Sequence, residues 1–274
     1  MTNWTDGFVE TNSITMHYAR TGGRIRTGGD KPQVVLCHGF SDNGACWTSL
    51  ARSLEDDYDV YMIDARCHGQ SSAPETGNNA ETRADDLASF IETMGLNKPV
   101  VAGHSMGAQY TQLFAAKYPH LLRGLILEDP PWRDPKAGSP RHHRKGWKEM
   151  FQAFKEQSLE EGIAACEAEH PDWEAGTCEL FFRAKLELNF NVFTGTAPDT
   201  MTWQETLPDV RCPVLMFTGD PELEAIVTDE VFDIAKSLAP QVERVHIPGV
   251  GHHIRYAAPQ PFVEAVKAFL HKVF

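Results

Sequence analysis

The chain has 274 residues, 42% of them hydrophobic, and a formal net charge of -13 at neutral pH. That length suits one large α/β domain or two small ones and buries a core without covalent staples. The acidic balance excludes nucleic acid and anionic membrane surfaces as electrostatic partners and points to a protein acting on small molecules, as a monomer or homodimer.

The opening "MTNWTDGFVETNSITMHYAR" lacks the basic start and continuous apolar core of a signal peptide, and no later stretch approaches bilayer-spanning length. A cytoplasmic protein without a membrane partner is therefore expected. Six scattered cysteines (Cys37, Cys46, Cys67, Cys166, Cys178, Cys212) include no C-x-x-C pair, so free and partly buried thiols are expected. The paired histidines His142–His143 and His252–His253 have no acids at helical i, i+4 spacing, so neither a metal site nor a cofactor is expected.

In chain order, "ITMHYARTGG" with a Gly-rich connection to Asp30 predicts an opening hairpin. Apolar strand-like runs then alternate with helical patterns: "QVVLCHGF" with "GACWTSLARSLE", "DVYMIDAR" with "ETRADDLASFIETMG", and "PVVAG" with "AQYTQLFAAKYP". "LRGLILEDP" is the sixth strand. The rhythm resumes at "CPVLMFTGD", "VTDEVFDIAKSLA", "VERVHIPG" and the amphipathic "PQPFVEAVKAFLHKVF". Such alternation predicts an α/β fold, a mainly parallel sheet with helices on both faces. Between Trp132 and Leu207 the alternation fails, and charged, aromatic helical segments replace it. An insertion of that length carries its own structure, so residues 132–207 are expected to form a helical cap on a core of 1–131 and 208–274.

Chemistry concentrates at "VVAGHSMGA". A strand that turns into a helix through one residue strains that residue's backbone, and only side-chain-free neighbours, Gly103 and Gly107, let the two elements approach. Ser105 is thus a candidate nucleophile on an elbow. A serine hydroxyl needs a base, and the base needs an acid to orient it. His252, directly after Gly251 in "GVGHHIRY", is the candidate base, with His253 its competitor. His38 reads as a packing residue. Four acids at strand ends compete for the orienting role: Asp220, Asp129, Glu222 and Glu128. The backbone N–H groups of Met106, after the nucleophile, and Phe40, after "VVLCHG", are candidate oxyanion donors.

"CHGF", "DARCHGQS", "GHSMG", "LEDP", "FTGD" and "GVGHH" occur in an order and spacing that resemble the α/β-hydrolase family over nearly the whole chain outside the insertion. The resemblance implies an acyl-type hydrolase with a Ser–acid–His triad, matching Ser105 and His252. The family's usual acid points to Asp220 or Glu222; a minority pattern, in relatives resembling haloalkane dehalogenases, points to Asp129. "GDPELEAIVTDE" is longer than the usual acid loop. The order of preference is Asp220, then Asp129, then Glu222. Serine rather than aspartate at the elbow argues for attack on a carbonyl. The expected activity is hydrolysis of a small, mostly apolar carboxylic ester or lactone, held between Phe40, Trp47, Trp132 and cap aromatics such as Trp147, Phe151, Phe181 and Phe182. Cleavage of a carbon–carbon bond beside a ketone, and a low-turnover ligand receptor on the same scaffold, are the alternatives.

Overall fold

The computed structural model describes residues 4–23, 30–133, 146–194 and 199–274. Eight strands form one sheet: β1 Thr5–Thr11, β2 Ile14–Arg20, β3 Gln33–Cys37, β4 Asp59–Ile63, β5 Val100–His104, β6 Gly124–Glu128, β7 Val214–Thr218 and β8 Val242–His246. Their order is β1-β2-β4-β3-β5-β6-β7-β8. β1 and β2 pair antiparallel, β2 runs antiparallel to β4, and the remaining pairs are parallel.

Parallel strands buried on both faces read as continuous apolar runs, and the two faces take alternate residues. Val35 and Cys37 of β3, with Leu125 and Leu127 of β6, point into one core. Val34, Leu36 and Ile126 point into the other. The first core is covered by α2 (Ala80–Thr93), α3 (Met106–Lys117) and α8 (Asp229–Leu238); the second by α1 (Thr48–Leu54), α9 (Ile254–Ala257) and α10 (Pro259–Val273). The chain leaves β3 toward β4 on one side and returns to β5 on the other. Strand direction of growth therefore reverses between β3 and β5, and the region beyond their carboxyl ends is where ligands bind in open α/β sheets.

Two expectations need correction. The opening hairpin joins β1 to β2 through Asn12–Ser13, one strand earlier than "ITMHYARTGG" suggested; Thr11 pairs with Ile14, and both turn residues take positive φ. The Gly-rich stretch at 24–29 and the histidines at 142 and 143 lie outside the described residues. Cys166 and Cys178 are not free thiols but a disulfide, with Cα atoms 5.6 Å apart. Chain length removed the need for a staple, but it did not prevent two packed helices from presenting their thiols to each other. Cys37, Cys46, Cys67 and Cys212 are free and buried. No helix among the described residues is long and apolar enough to cross a membrane.

Between β6 and β7 lie α4 (Trp147–Lys155), α5 (Leu159–Glu169), α6 (Thr177–Glu187) and the short α7 (Trp203–Thr206), with no strand among the described residues. The insertion is tied to the loop after β4: Asn189 N–H donates to the Cys67 carbonyl at 2.9 Å, and the Asn78 amide donates to the Asn191 carbonyl at 2.8 Å. α6 also pushes a cation into the interior. Lys185 is buried, its ammonium 3.0 Å from the centre of the Phe181 ring and 3.3 Å from the Phe181 carbonyl.

Burial brings the Lys185 ammonium from 10.5 down to about 8. A gap of that size disfavours the charged form by about 3 kcal/mol relative to the unfolded chain. Because the folded value lies below the unfolded one, the unfolded chain holds more protons between pH 8 and 10.5, and stability rises with pH there. Lys185→Met is expected to stabilise the protein by roughly 2–3 kcal/mol at neutral pH, and the advantage should shrink as pH climbs through that window. Urea unfolding of both proteins at neutral and alkaline pH checks this; a gap that widens with pH would contradict it.

Candidate active site

β5 ends at His104 and α3 begins at Met106, so Ser105 alone makes the turn, at φ 50° and ψ -114°. An L-residue pays strain to sit there, and surrounding contacts must hold it. Ser105 N–H donates to the Glu128 carbonyl and its own carbonyl accepts from Gln109, both at 3.0 Å. The flanking glycines have separate steric reasons. A Cβ on Gly103 would lie 2.5 Å from the Gly107 carbonyl, and one on Gly107 would collide with the carbonyl oxygens of Cys37 and His38. That second close approach brings the turn carrying Phe40 against the start of α3, where first-turn amides have no acceptor within the helix.

Sheet register places the next group. His104 lies opposite Glu128 in the parallel β5–β6 pair, so Ser105 and Asp129 emerge side by side. Asp129 is fully buried, with φ 40°, and accepts from Ile226 N–H at 2.9 Å and Val227 N–H at 3.1 Å. Its Oδ2 is also 2.5 Å from His252 Nδ1. A carboxylate surrounded by donors can only accept, so Nδ1 carries the hydrogen and the neutral imidazole keeps its lone pair at Nε2.

Three further contacts fix the histidine segment. His104 Nε2 donates to the His252 carbonyl at 3.1 Å, with the two rings 4.7 Å apart. Glu128 accepts from Arg255 N–H at 2.9 Å and from its guanidinium at 3.0 Å. The consecutive acids Glu128 and Asp129 thus grip the same segment at two points. His104 and Arg255 escape sequence reasoning, because a histidine before the serine and an arginine three residues after the base carry no spacing signal of their own.

The preference for Asp220 is corrected by this geometry. Its carboxylate accepts from Gly249 N–H at 2.7 Å and meets His246 Nε2 at 3.1 Å, away from His252. Glu222 is exposed on the turn Pro221–Leu223. The reason is the long loop after β7: it folds back so that its amides at Ile226 and Val227, rather than its carboxylates, face Asp129. His253 turns toward the insertion, its ring 5.2 Å from Phe181 and 5.7 Å from Trp173, and burial pushes its pKa well below 6.5. His38 is fully buried; its Nε2 accepts from Ala65 N–H at 2.9 Å and its Nδ1 donates to the Gly39 carbonyl at 2.7 Å, so both nitrogens are committed to packing.

The two tryptophans expected at the substrate do not line an accessible wall. Trp47 is 1% exposed, in the core beneath the Arg255 guanidinium at 4.4 Å. Trp132 is equally buried and stacks on Trp203 at 4.7 Å. Phe40 instead gathers Trp147, Phe151 and Phe193 within 5.1–5.7 Å. Phe182 packs on Gly162, inside the insertion. A half-buried hydroxyl, an imidazole with its lone pair at Nε2, and a buried carboxylate are the components of nucleophilic acyl transfer. Among the described residues no group of three His, Cys, Asp or Glu side chains could hold a metal ion.

Residues 34–265 match the Alpha/beta hydrolase family. The chain is 27% identical over 262 residues to 2-(acetamidomethylene)succinate hydrolase of Mesorhizobium japonicum, covering 90% of both chains. It is 32% identical over 130 residues to N-formylmaleamate deformylase of Pseudomonas putida, covering 47% of this chain and 46% of that one. The crystal structure of E-2-(acetamidomethylene)succinate hydrolase superposes with a TM-score of 0.77 at 22% identity, over 98% of this chain and all of that one.

The short His252–Asp129 contact has a spectroscopic signature. Its Nδ1 proton should resonate downfield of the amide envelope in the intact protein and in Asp220→Ala, and should vanish in Asp129→Ala. Loss of the signal in Asp220→Ala alone would contradict this pairing.

Proposed function

Since this chain belongs to the alpha/beta hydrolase family, we propose that it is a serine hydrolase that opens a small carboxylic ester or lactone through an acyl-enzyme on Ser105. The observation that carries the reading is the His252–Asp129 bond at 2.5 Å, one register step from the strained Ser105. In this reading His252 Nε2 takes the proton of Ser105 Oγ as the oxygen attacks the carbonyl carbon. Asp129 holds the imidazole in the required tautomer and stabilises the imidazolium. Negative charge develops on the carbonyl oxygen, and the N–H groups of Phe40 and Met106 are the donors that meet it. The imidazolium returns its proton to the leaving oxygen, and a water activated by the same nitrogen hydrolyses the ester on Ser105.

The helical insertion, residues 132–207, acts as a cap that selects substrate and excludes water. Its aromatic contact with Phe40 supports this, since water removal strengthens each electrostatic contact below. A second reading keeps the mechanism and changes the bond: the names of two relatives, 2-(acetamidomethylene)succinate hydrolase and N-formylmaleamate deformylase, favour an N-acyl amide as substrate. A panel of p-nitrophenyl esters, lactones and N-formyl or N-acetyl enamides separates the two.

Ser105→Ala should lower turnover by about four to six powers of ten, and an organophosphonate should add to Ser105 in the intact protein, read by peptide mass. Asp129→Asn leaves the geometry but favours the other tautomer, with a loss on the order of ten-thousand-fold; Asp220→Asn should stay within about ten-fold of wild type on the same scale. Near-normal turnover in Ser105→Ala would sink the mechanism, and a severe loss confined to Asp220→Asn would reassign the acid.

A further inference from the structure

The Arg255 guanidinium is the centre of a buried ion bridge. Nη1 donates to Glu128 Oε2 at 3.0 Å, while Nη2 donates to Asp42 Oδ2 at 3.2 Å and to the Tyr256 hydroxyl at 3.0 Å. Trp47 covers the guanidinium at 4.4 Å. Asp42, Glu128 and Arg255 are 1%, 0% and 5% exposed. Two carboxylates and an arginine out of water are costly, and well-packed apolar side chains would hold a fold as well or better. Asp42 Oδ1 and Arg255 Nε lack any hydrogen-bond partner, which adds to that cost.

What the bridge joins is specific. Glu128 directly precedes Asp129, Arg255 lies three residues after His252, and Asp42 lies two residues after Phe40. β3 and β6 are not neighbours, because β5, which ends just before Ser105, runs between them. Sheet register carries β3 only as far as Cys37, opposite Gly103, so the turn beyond it needs other anchors. That turn is strained. Asp42 N–H donates to the Gly39 carbonyl at 3.2 Å, and Ser41 between them takes φ 63°, a left-handed value that persists only where the surroundings hold it. The closing bond uses the Asp42 N–H, so the Phe40 N–H is not spent on it. Gly39 lies against His104, where a Cβ would come 2.6 Å from Nδ1, and Asp42 Oδ2 is 3.8 Å from the same nitrogen.

We propose that Asp42 and Arg255 are positioning residues for acyl transfer: the Asp42–Arg255–Glu128 bridge fixes the Phe40 turn relative to the His252–Asp129 pair, so that the Phe40 N–H meets the developing oxyanion. This rests on the serine-hydrolase reading above. Both residues act through others and leave the substrate untouched. Arg255 suits the task because its planar fork spans two carboxylates on either side of β5, whereas a lysine ammonium is a single point and serves one of them. Asp42 suits it because it closes the strained turn with its backbone and ties that turn down with its side chain.

The test uses Asp42→Asn, Arg255→Lys and the two combined. Asp42→Asn keeps the side chain's shape and leaves Arg255 paired with Glu128, so no charge is stranded. Phosphonylation of Ser105 by ethyl p-nitrophenyl methylphosphonate, followed by nitrophenolate release and peptide mass, loads the oxyanion donors without requiring the natural substrate. Its rate should fall by about 10- to 100-fold in each single variant, the cost of a misplacement of about 1 Å. The double variant should lose little more, because both residues act through one bridge. With p-nitrophenyl acetate the loss should fall on kcat, with KM within about two-fold of wild type. The downfield His252 Nδ1 proton should persist in Asp42→Asn. Phosphonylation at the wild-type rate in Asp42→Asn, losses that multiply in the double variant, or disappearance of the downfield proton would each overturn the positioning role while leaving the serine mechanism standing. Failure of both single variants to fold also overturns it, since the bridge is then a requirement of the fold. A wild-type protein that takes no phosphonate on Ser105 strikes the serine-hydrolase reading itself, and the positioning role with it.

Discussion

A strand that becomes a helix across a single residue imposes its own conditions on everything near it. Ser105 at φ 50° is held by the Glu128 carbonyl on one side and by Gln109 on the other. The helix can start there only because Gly107 lies directly on the carbonyls of Cys37 and His38. Those contacts bind three strands, β3, β5 and β6, to one point. The positions of the Phe40 turn, the first amides of α3 and the carboxylate after β6 all follow from that junction, and the histidine segment is then drawn to it by Asp129, Glu128 and His104.

Much of this was legible because each requirement leaves a residue type behind. Gly103 and Gly107 mark close backbone approaches, and the five-residue apolar runs mark strands covered on both faces. The mainly parallel sheet and the helical insertion after the sixth strand could be read from the same alternation; the strand order could not. The pairing of the acid could not. Asp129 and Asp220 both end strands, and the choice between them depends on how the loop 219–227 closes, which no periodicity encodes. That loop gives its backbone N–H groups to Asp129, and its own Asp220 is committed to His246 and Gly249. The buried tryptophans misled for a related reason: large aromatics near a reactive edge look alike in sequence whether they line a pocket or, like Trp47 and Trp132, fill the core.

The histidines separate by the same logic of hydrogen-bond commitment. His38 uses both ring nitrogens internally, and His104 gives Nε2 to a backbone carbonyl. Burial lowers the pKa of both, which keeps them neutral beside the imidazole that meets Asp129. His252 differs because one of its nitrogens is taken by a buried carboxylate while its side chain is still 23% exposed. A cluster of imidazoles is therefore told apart by the partners of each ring, not by distance from the serine.

A carboxylate after β6 as the partner of His252 also fixes its place relative to Ser105. With Ser105 and Asp129 on adjacent strands in fixed register, their separation is set by sheet geometry and cannot drift with loop length. An acid after β7 would sit at the end of a strand two places from β5 and would have to reach back through a loop whose conformation depends on its own sequence. Here that loop supplies two amides to Asp129. The lengthened "GDPELEAIVTDE" segment that made the usual position difficult to recognise is thus compatible with a stable carboxylate, because the carboxylate is anchored in the sheet and the loop is anchored to it.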